Sequence, residues 1–137
     1  MILVDSTFLI DALRKKPNVR KFLQKNPTEI LFTTEINVFE LYLGLHSSKI
    51  LEKEVALFAK RKQPLEELIT KFQVLSFRRG EAIESAKILG KLYRSGKPIE
   101  FRDGLIAGIA IANGIKKVLT RNTDHFRRIK EIEVLSY

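Results

Sequence analysis

The chain reads as an α/β fold, with a mainly parallel central sheet of four or five strands flanked by helices, and three observations lead there. Short, wholly apolar runs such as Ile2-Leu3-Val4 and Ile30-Leu31-Phe32 stop abruptly at polar residues, as strands buried on both faces do. Stretches with helical spacing of apolar residues lie between those runs. Strands alternating with helices then imply right-handed crossovers and a parallel sheet. The 137 residues suit one domain, residues 1–137, and 45% hydrophobic residues are enough to fill its core.

Taken in order, the first strand ends at Asp5, and Phe8, Leu9, Ala12 and Leu13 recur with helical spacing up to the stop Arg14-Lys15-Lys16-Pro17. A short helix from Asn18 to Asn26 turns Val19, Phe22 and Leu23 inward. The second strand, Ile30–Phe32, leads to a helix capped by Thr33 or Thr34 and running through Leu45, apolar on every face except for Glu40. An amphipathic helix is expected over Lys49–Lys60, and Pro64 is expected to open another over Leu65–Lys71. That pair forms either a second helical layer or an interaction surface. A third strand, Phe72–Phe77, precedes a helix over Arg79–Ser95 that Gly96 terminates.

The last third is the most informative. Asp103 stands directly before Leu105, Ile106, Ala107, Ile109, Ala110, Ile111 and Ala112, a helix-length run that is apolar all round and belongs in the interior. Gly104 and Gly108 let it approach a neighbour closely. Gly114 stops it, Lys117–Thr120 reads as a strand, and a polar turn follows at Arg121-Asn122-Thr123-Asp124 before a final strand at Glu133–Leu135.

Composition narrows the function. There is no cysteine, which removes disulfides, thiolate metal sites and cysteine nucleophiles. No signal peptide is legible, and no apolar run approaches the roughly 20 residues that cross a bilayer, so a soluble, cytoplasmic protein is expected. Twenty-five Lys and Arg against 16 Asp and Glu give a net charge of +9, which attracts polyanions, nucleic acid first among them.

Against that charge, three acids have unusual addresses. Asp5 ends the first strand, Asp103 starts the buried helix, and Glu40 interrupts an apolar helix. Each has a bland reading: Asp5 and Asp103 as helix caps, with Ser6 competing for the first, and Glu40 as one half of an ion pair. If the first and fourth strands are neighbours, all three can converge where ligands bind in such sheets. Clustered carboxylates need a proton or a cation, and all-oxygen ligation suits Mg²⁺ or Mn²⁺ rather than Zn²⁺. A hard divalent ion in a basic protein points to phosphodiester hydrolysis. Rival chemistries lack their residues: there is no P-loop, no G-x-S-x-G, no S-x-x-K, and His46 and His125 lack zinc-protease spacing and read as surface or packing residues. A phosphatase of the haloacid dehalogenase type needs a second acid where Thr7 stands.

Four motifs occur in the order found in one family: Val4-Asp5-Ser6-Thr7, Glu40-Leu41-Tyr42-Leu43-Gly44-Leu45, Asp103-Gly104-Leu105-Ile106-Ala107, and Thr120-Arg121-Asn122 with His125-Phe126. On these the chain resembles PIN-domain proteins, specifically the VapC-type toxin ribonucleases of toxin–antitoxin pairs, over essentially its whole length. The resemblance implies a single PIN-like domain, a Mg²⁺- or Mn²⁺-dependent endoribonuclease acting on RNA, a homodimer and a small antitoxin partner. Carried over by position, Asp5, Glu40 and Asp103 are the metal-binding acids, and Ser6 or Thr7 orients Asp5. The family's fourth acid often follows the Thr-Arg pair; Asn122 holds that place here, and Asp124 is its nearest substitute. Arg121 is expected either to contact RNA phosphate, to neutralise the acids, or to form a structural ion pair. Two rivals keep the fold: a non-catalytic RNA-binding or assembly module, and a nuclease of RNA processing outside toxin–antitoxin systems.

Overall fold

The computed structural model describes residues 1–137. Its elements run β1 (Ile2–Val4), α1 (Ser6–Leu13), α2 (Pro17–Lys25), β2 (Leu31–Thr34), α3 (Glu35–His46), α4 (Lys49–Lys53), α5 (Val55–Ile69), β3 (Gln73–Leu75), α6 (Arg79–Arg94), α7 (Phe101–Ala112), β4 (Lys117–Leu119), α8 (Thr123–Arg127) and β5 (Glu133–Leu135). The five strands form one sheet in the order β3-β2-β1-β4-β5, and every pairing is parallel.

The central strand is a three-residue apolar run. Ile2, Leu3 and Val4 are all buried, and alternation along the strand sends them to opposite faces. Leu3 packs with Ile106, Ala107, Ala110, Val118 and Phe126 on one side of the sheet. Ile2 and Val4 pack with Phe8, Leu9, Val19, Leu41, Leu45 and Leu65 on the other. Because β1 lies between β2 and β4, the sheet grows first to one edge through β2 and β3 and then to the other through β4 and β5, which opens a crevice beyond the carboxyl end of β1.

Helix α7 fills one side of the sheet and lies closest to α6. A Cβ placed on Gly108 would stand 2.6 Å from the Ser85 backbone, whereas one on Gly104 would meet only the Leu89 side chain. The two glycines therefore set how near the helices come, and the Ser85 hydroxyl, which donates to the Glu81 carbonyl at 2.8 Å, lies 3.3 Å from the Leu105 carbonyl across the contact.

Several boundaries differ from those expected. Helix α7 starts at Phe101, not at Asp103, because Glu100 takes the cap and accepts from the Arg102 N–H at 3.0 Å. Asp103 is the third residue of the helix, so its carboxylate is not used as a cap. The Lys49–Lys60 helix is two, broken at Glu54, whose non-helical backbone ends α4 and precedes α5. Pro64 does not open a helix; it lies inside α5. The turn survives the lost hydrogen bond because Leu65 is buried directly after it, and core packing overrides a local breaker. Of the two candidate caps for α3, Thr34 is used, in a reciprocal box with Asn37. Helix α3 carries apolar residues on every side yet buries only part of itself, leaving Phe39 at 54% and Leu43 at 44% exposure.

Gly108→Ala should destabilise the fold by about 1–3 kcal/mol, the usual range for overpacking, and by more than Gly104→Ala, since a side chain can yield where a backbone cannot. Denaturant midpoints of the two variants test this ordering.

Candidate active site

Asp5 leaves β1 in an extended conformation and caps α1. Its Oδ1 accepts from the Thr7 N–H at 3.0 Å, the Thr7 hydroxyl at 2.6 Å and the Phe8 N–H at 3.4 Å, while Oδ2 accepts from the Thr120 hydroxyl. The bland and the functional readings therefore coincide in one side chain. Asp5 is 3% exposed, and burial raises its pKa above the ordinary carboxylate value, with the hydrogen bonds opposing it.

Glu40 comes from the middle of α3 and is half-buried at the rim. Ser6 donates to its Oε1 at 2.9 Å, and a buried Asn37 amide donates to Ser6 at 3.0 Å. The Ser6 hydroxyl thus serves Glu40, and Thr7 alone of that pair serves Asp5. Arg102 stands 3.9 Å from Glu40 Oε2 and 3.1 Å from Glu100. Desolvation raises the Glu40 pKa, and the charges of Asp103 and Asp5 push it further up against the pull of Ser6 and Arg102. Glu40 therefore lies near enough to both Asp5 and Asp103 to feel their charges.

Asp103 projects from the first turn of α7. Its Oδ2 accepts from His125 Nδ1 at 2.6 Å and from the Asn122 amide at 2.8 Å. Burial raises its pKa, and His125 opposes the shift. Asn122 is therefore tied to the acids, whereas Asp124 is exposed on α8 and makes no hydrogen bond or ion pair with them. Arg121 turns away from the acids and pairs with Asp11 Oδ2 at 3.1 Å.

Residues assigned no part in the site from sequence complete the arrangement: Thr120 and His125 stood only in a family motif, and His125, read there as a surface or packing residue, instead holds Asp103. His125 and Thr120 lie too far from their partners along the chain for any spacing rule, although both fall in the segment after β4 that frames the crevice. Arg102 adjoins Asp103, and Asn37 lies three residues before Glu40 on the same helix. Asp11 carried the signal that marked Glu40, an acid among apolar helical residues.

The donor chemistry fits a hard divalent ion: three carboxylates and an amide, with no sulfur. Asp103 Oδ1 and Glu40 Oε2 hold no hydrogen bond. The side chains as they stand do not form a ready coordination cluster of three or more acids and histidines.

The model of the PIN domain matches residues 2–132. The chain belongs to the PIN-domain family. Its sequence is 30% identical to the ribonuclease VapC of Rickettsia bellii over 98% of this chain and 95% of that one. It is also 30% identical to the plasmid stability protein StbB of Pseudomonas syringae, over 92% and 91%. Among solved structures, DNA-bound VapBC of Salmonella typhimurium resembles this PIN domain with a TM-score of 0.82 at 26% identity, covering 98% of this chain and 96% of that one. PIN-domain nucleases are in general dependent on a divalent metal.

Each of the three acids binds its proton more tightly in the folded chain than in the unfolded one. Stability from this source is present at low pH and is lost as pH rises through the raised values. In metal-free protein, the melting temperature of Asp5→Asn relative to the parent should therefore be higher at pH 7 than at pH 4. A variant less stable than the parent by the same margin at both pH values would contradict the assignment.

Proposed function

We propose that this PIN domain, spanning residues 1–137, is a VapC-type endoribonuclease, the toxin of a toxin–antitoxin pair, and that it cleaves RNA with Mg²⁺ or Mn²⁺ held by Asp5, Glu40 and Asp103. One observation supports the reading: three desolvated carboxylates come from the end of β1, from α3 and from α7, and Glu40 feels the charges of the other two, in a chain of net charge +9. Relatives named ribonuclease VapC that match nearly the whole chain support the activity class.

When bound, a divalent ion supplies Lewis-acid activation of water and neutralises charge at the phosphodiester. The protein's own contribution is placement. Thr7 and Thr120 fix both oxygens of Asp5, Ser6 fixes Glu40, and Asn122 with His125 fixes Oδ2 of Asp103, leaving its other oxygen free to bind. Asn122 and His125 thus occupy the corner where a fourth acid was expected. Arg102 at the rim offers a positive charge to the phosphate backbone.

For partners, a groove of about 510 Å³ between α1, α3 and α5 ends at Glu40. It has an apolar floor that includes Leu13, Leu41 and Leu65, and a basic rim of Arg14, Lys60 and Arg61. An antitoxin segment seated there would touch Glu40. The exposed Phe39 and Leu43 of α3 suit a second copy in a homodimer. A cytoplasmic setting accords with a chain in which no helix is long and apolar enough to cross a membrane.

Purified protein should cut a labelled structured RNA with Mg²⁺ or Mn²⁺ but not with EDTA. Asp5→Asn and Asp103→Asn should each lower the rate at least about a hundredfold, as loss of several kcal/mol of metal stabilisation requires. Asp124→Asn is the control: a fall as deep as that of Asp103→Asn would return the fourth ligand to position 124. RNA binding without metal-dependent cutting would favour a non-catalytic module, the reading that the neutral Asn122 supports.

A further inference from the structure

Asp11 is the buried acid that the site does not use. It is 2% exposed on α1, and its Oδ2 accepts from the Tyr137 hydroxyl at 2.9 Å and pairs with Arg121 Nε at 3.1 Å. Its Oδ1 is buried without any partner. Such a carboxylate is expensive to keep inside, and a well-packed apolar side chain in its place would be neutral or better for stability. Its worth must then lie in what it holds.

What it holds is the segment Thr120–Asn122. The Arg121 N–H donates to the Thr7 hydroxyl at 2.9 Å, and that hydroxyl donates to Asp5 Oδ1. One residue on, the Asn122 N–H donates to the Thr120 hydroxyl at 2.8 Å, and that hydroxyl donates to Asp5 Oδ2. A hydroxyl has a single proton, so an N–H facing its oxygen leaves that proton to point at the carboxylate. Both hydroxyls are thereby committed as donors to Asp5, but only while the segment keeps its place against α1. The Thr7 and Phe8 amides are local to α1 and need no such support. The Asp11–Arg121 pair is the one ionic tie between α1 and the segment. Tyr137, its hydroxyl pushed up to about 12 by burial and by Asp11, remains a donor to the pair throughout the physiological range, and its ring packs edge-on against Phe8 at 5.0 Å.

We propose that Asp11 is a positioning residue for the reaction, acting through Arg121 to hold the two threonine hydroxyls on the Asp5 carboxylate, with Arg121 serving this tie rather than the RNA. The inference rests on Asp5 being a metal ligand. It separates two roles that a single destabilising mutation would confuse.

The decisive variant replaces the pair together, Asp11→Leu with Arg121→Met, since a buried ion pair exchanged for packed apolar residues can keep or gain stability. Mn²⁺ binding by electron paramagnetic resonance, the melting temperature, and kcat and KM on RNA are read side by side. The melting temperature should hold while Mn²⁺ affinity falls about 10- to 100-fold, the usual consequence of losing support behind a ligand, and kcat should fall with KM unchanged. Arg121→Lys, which keeps a cation for Asp11, should retain most of the Mn²⁺ affinity. If the double variant does not fold, Asp11→Asn, which keeps the shape and the acceptor for Tyr137, gives the same reading. Wild-type Mn²⁺ affinity in a folded variant, or a change confined to KM and its salt dependence, would overturn the proposal. Mn²⁺ binding that Asp103→Asn and Asp5→Asn leave untouched would overturn the metal reading itself and the proposal with it.

Discussion

Asp5 closes the central strand and opens the first helix with one carboxylate, and the geometry of the crevice follows from how that charge is kept inside. Two local amides and two hydroxyls surround it, one hydroxyl from α1 and one from the end of β4. The second hydroxyl is within reach only because β1 and β4 pair in register, Val4 opposite Leu119. The strand order and the carboxylate's hydrogen bonds are thus one constraint seen from two sides. An acid at this position in a sheet with another order would be buried without donors and would be strongly destabilising.

The three acids sit in a chain that is otherwise basic, and the contrast organises the surface. Desolvation dominates the shift of each carboxylate, and Glu40 additionally feels the other two. The protein supplies only partial compensation, through Arg102 at Glu40 and His125 at Asp103. That leaves a focused negative site within a positive field. Such a field draws a polyanion toward the rim while the rim itself favours a cation, the combination that a metal-assisted phosphodiesterase needs.

Much of this was legible in the sequence because the acids break local patterns. An Asp ending an apolar strand, a Glu inside an apolar helix and an Asp before a fully apolar helix are each costly placements, and the cost marks them. The strands and their parallel arrangement followed from runs too short and too apolar to be surface helices. What escaped was set by tertiary contact. Whether Asp103 caps its helix turned on Glu100, whose carboxylate reaches the Arg102 amide first. Ser6 and Thr7 are adjacent in sequence, but successive helical residues point about 100° apart, so one faces Glu40 and the other Asp5. Pro64 marks a helix start by local chemistry, yet burial of Leu65 carries α5 through it. His125 reaches Asp103 across 22 residues, a pairing that only the fold creates.

Asp5, Glu40 and Asp103 are proposed to share one cation. The most direct measurement is an anomalous-scattering map from crystals grown with Mn²⁺. The expected result is a peak enclosed by those three carboxylates, with Asn122 and His125 still on Oδ2 of Asp103. Mn²⁺ bound elsewhere on the chain, with the three carboxylates apart and no ion between them, would contradict it.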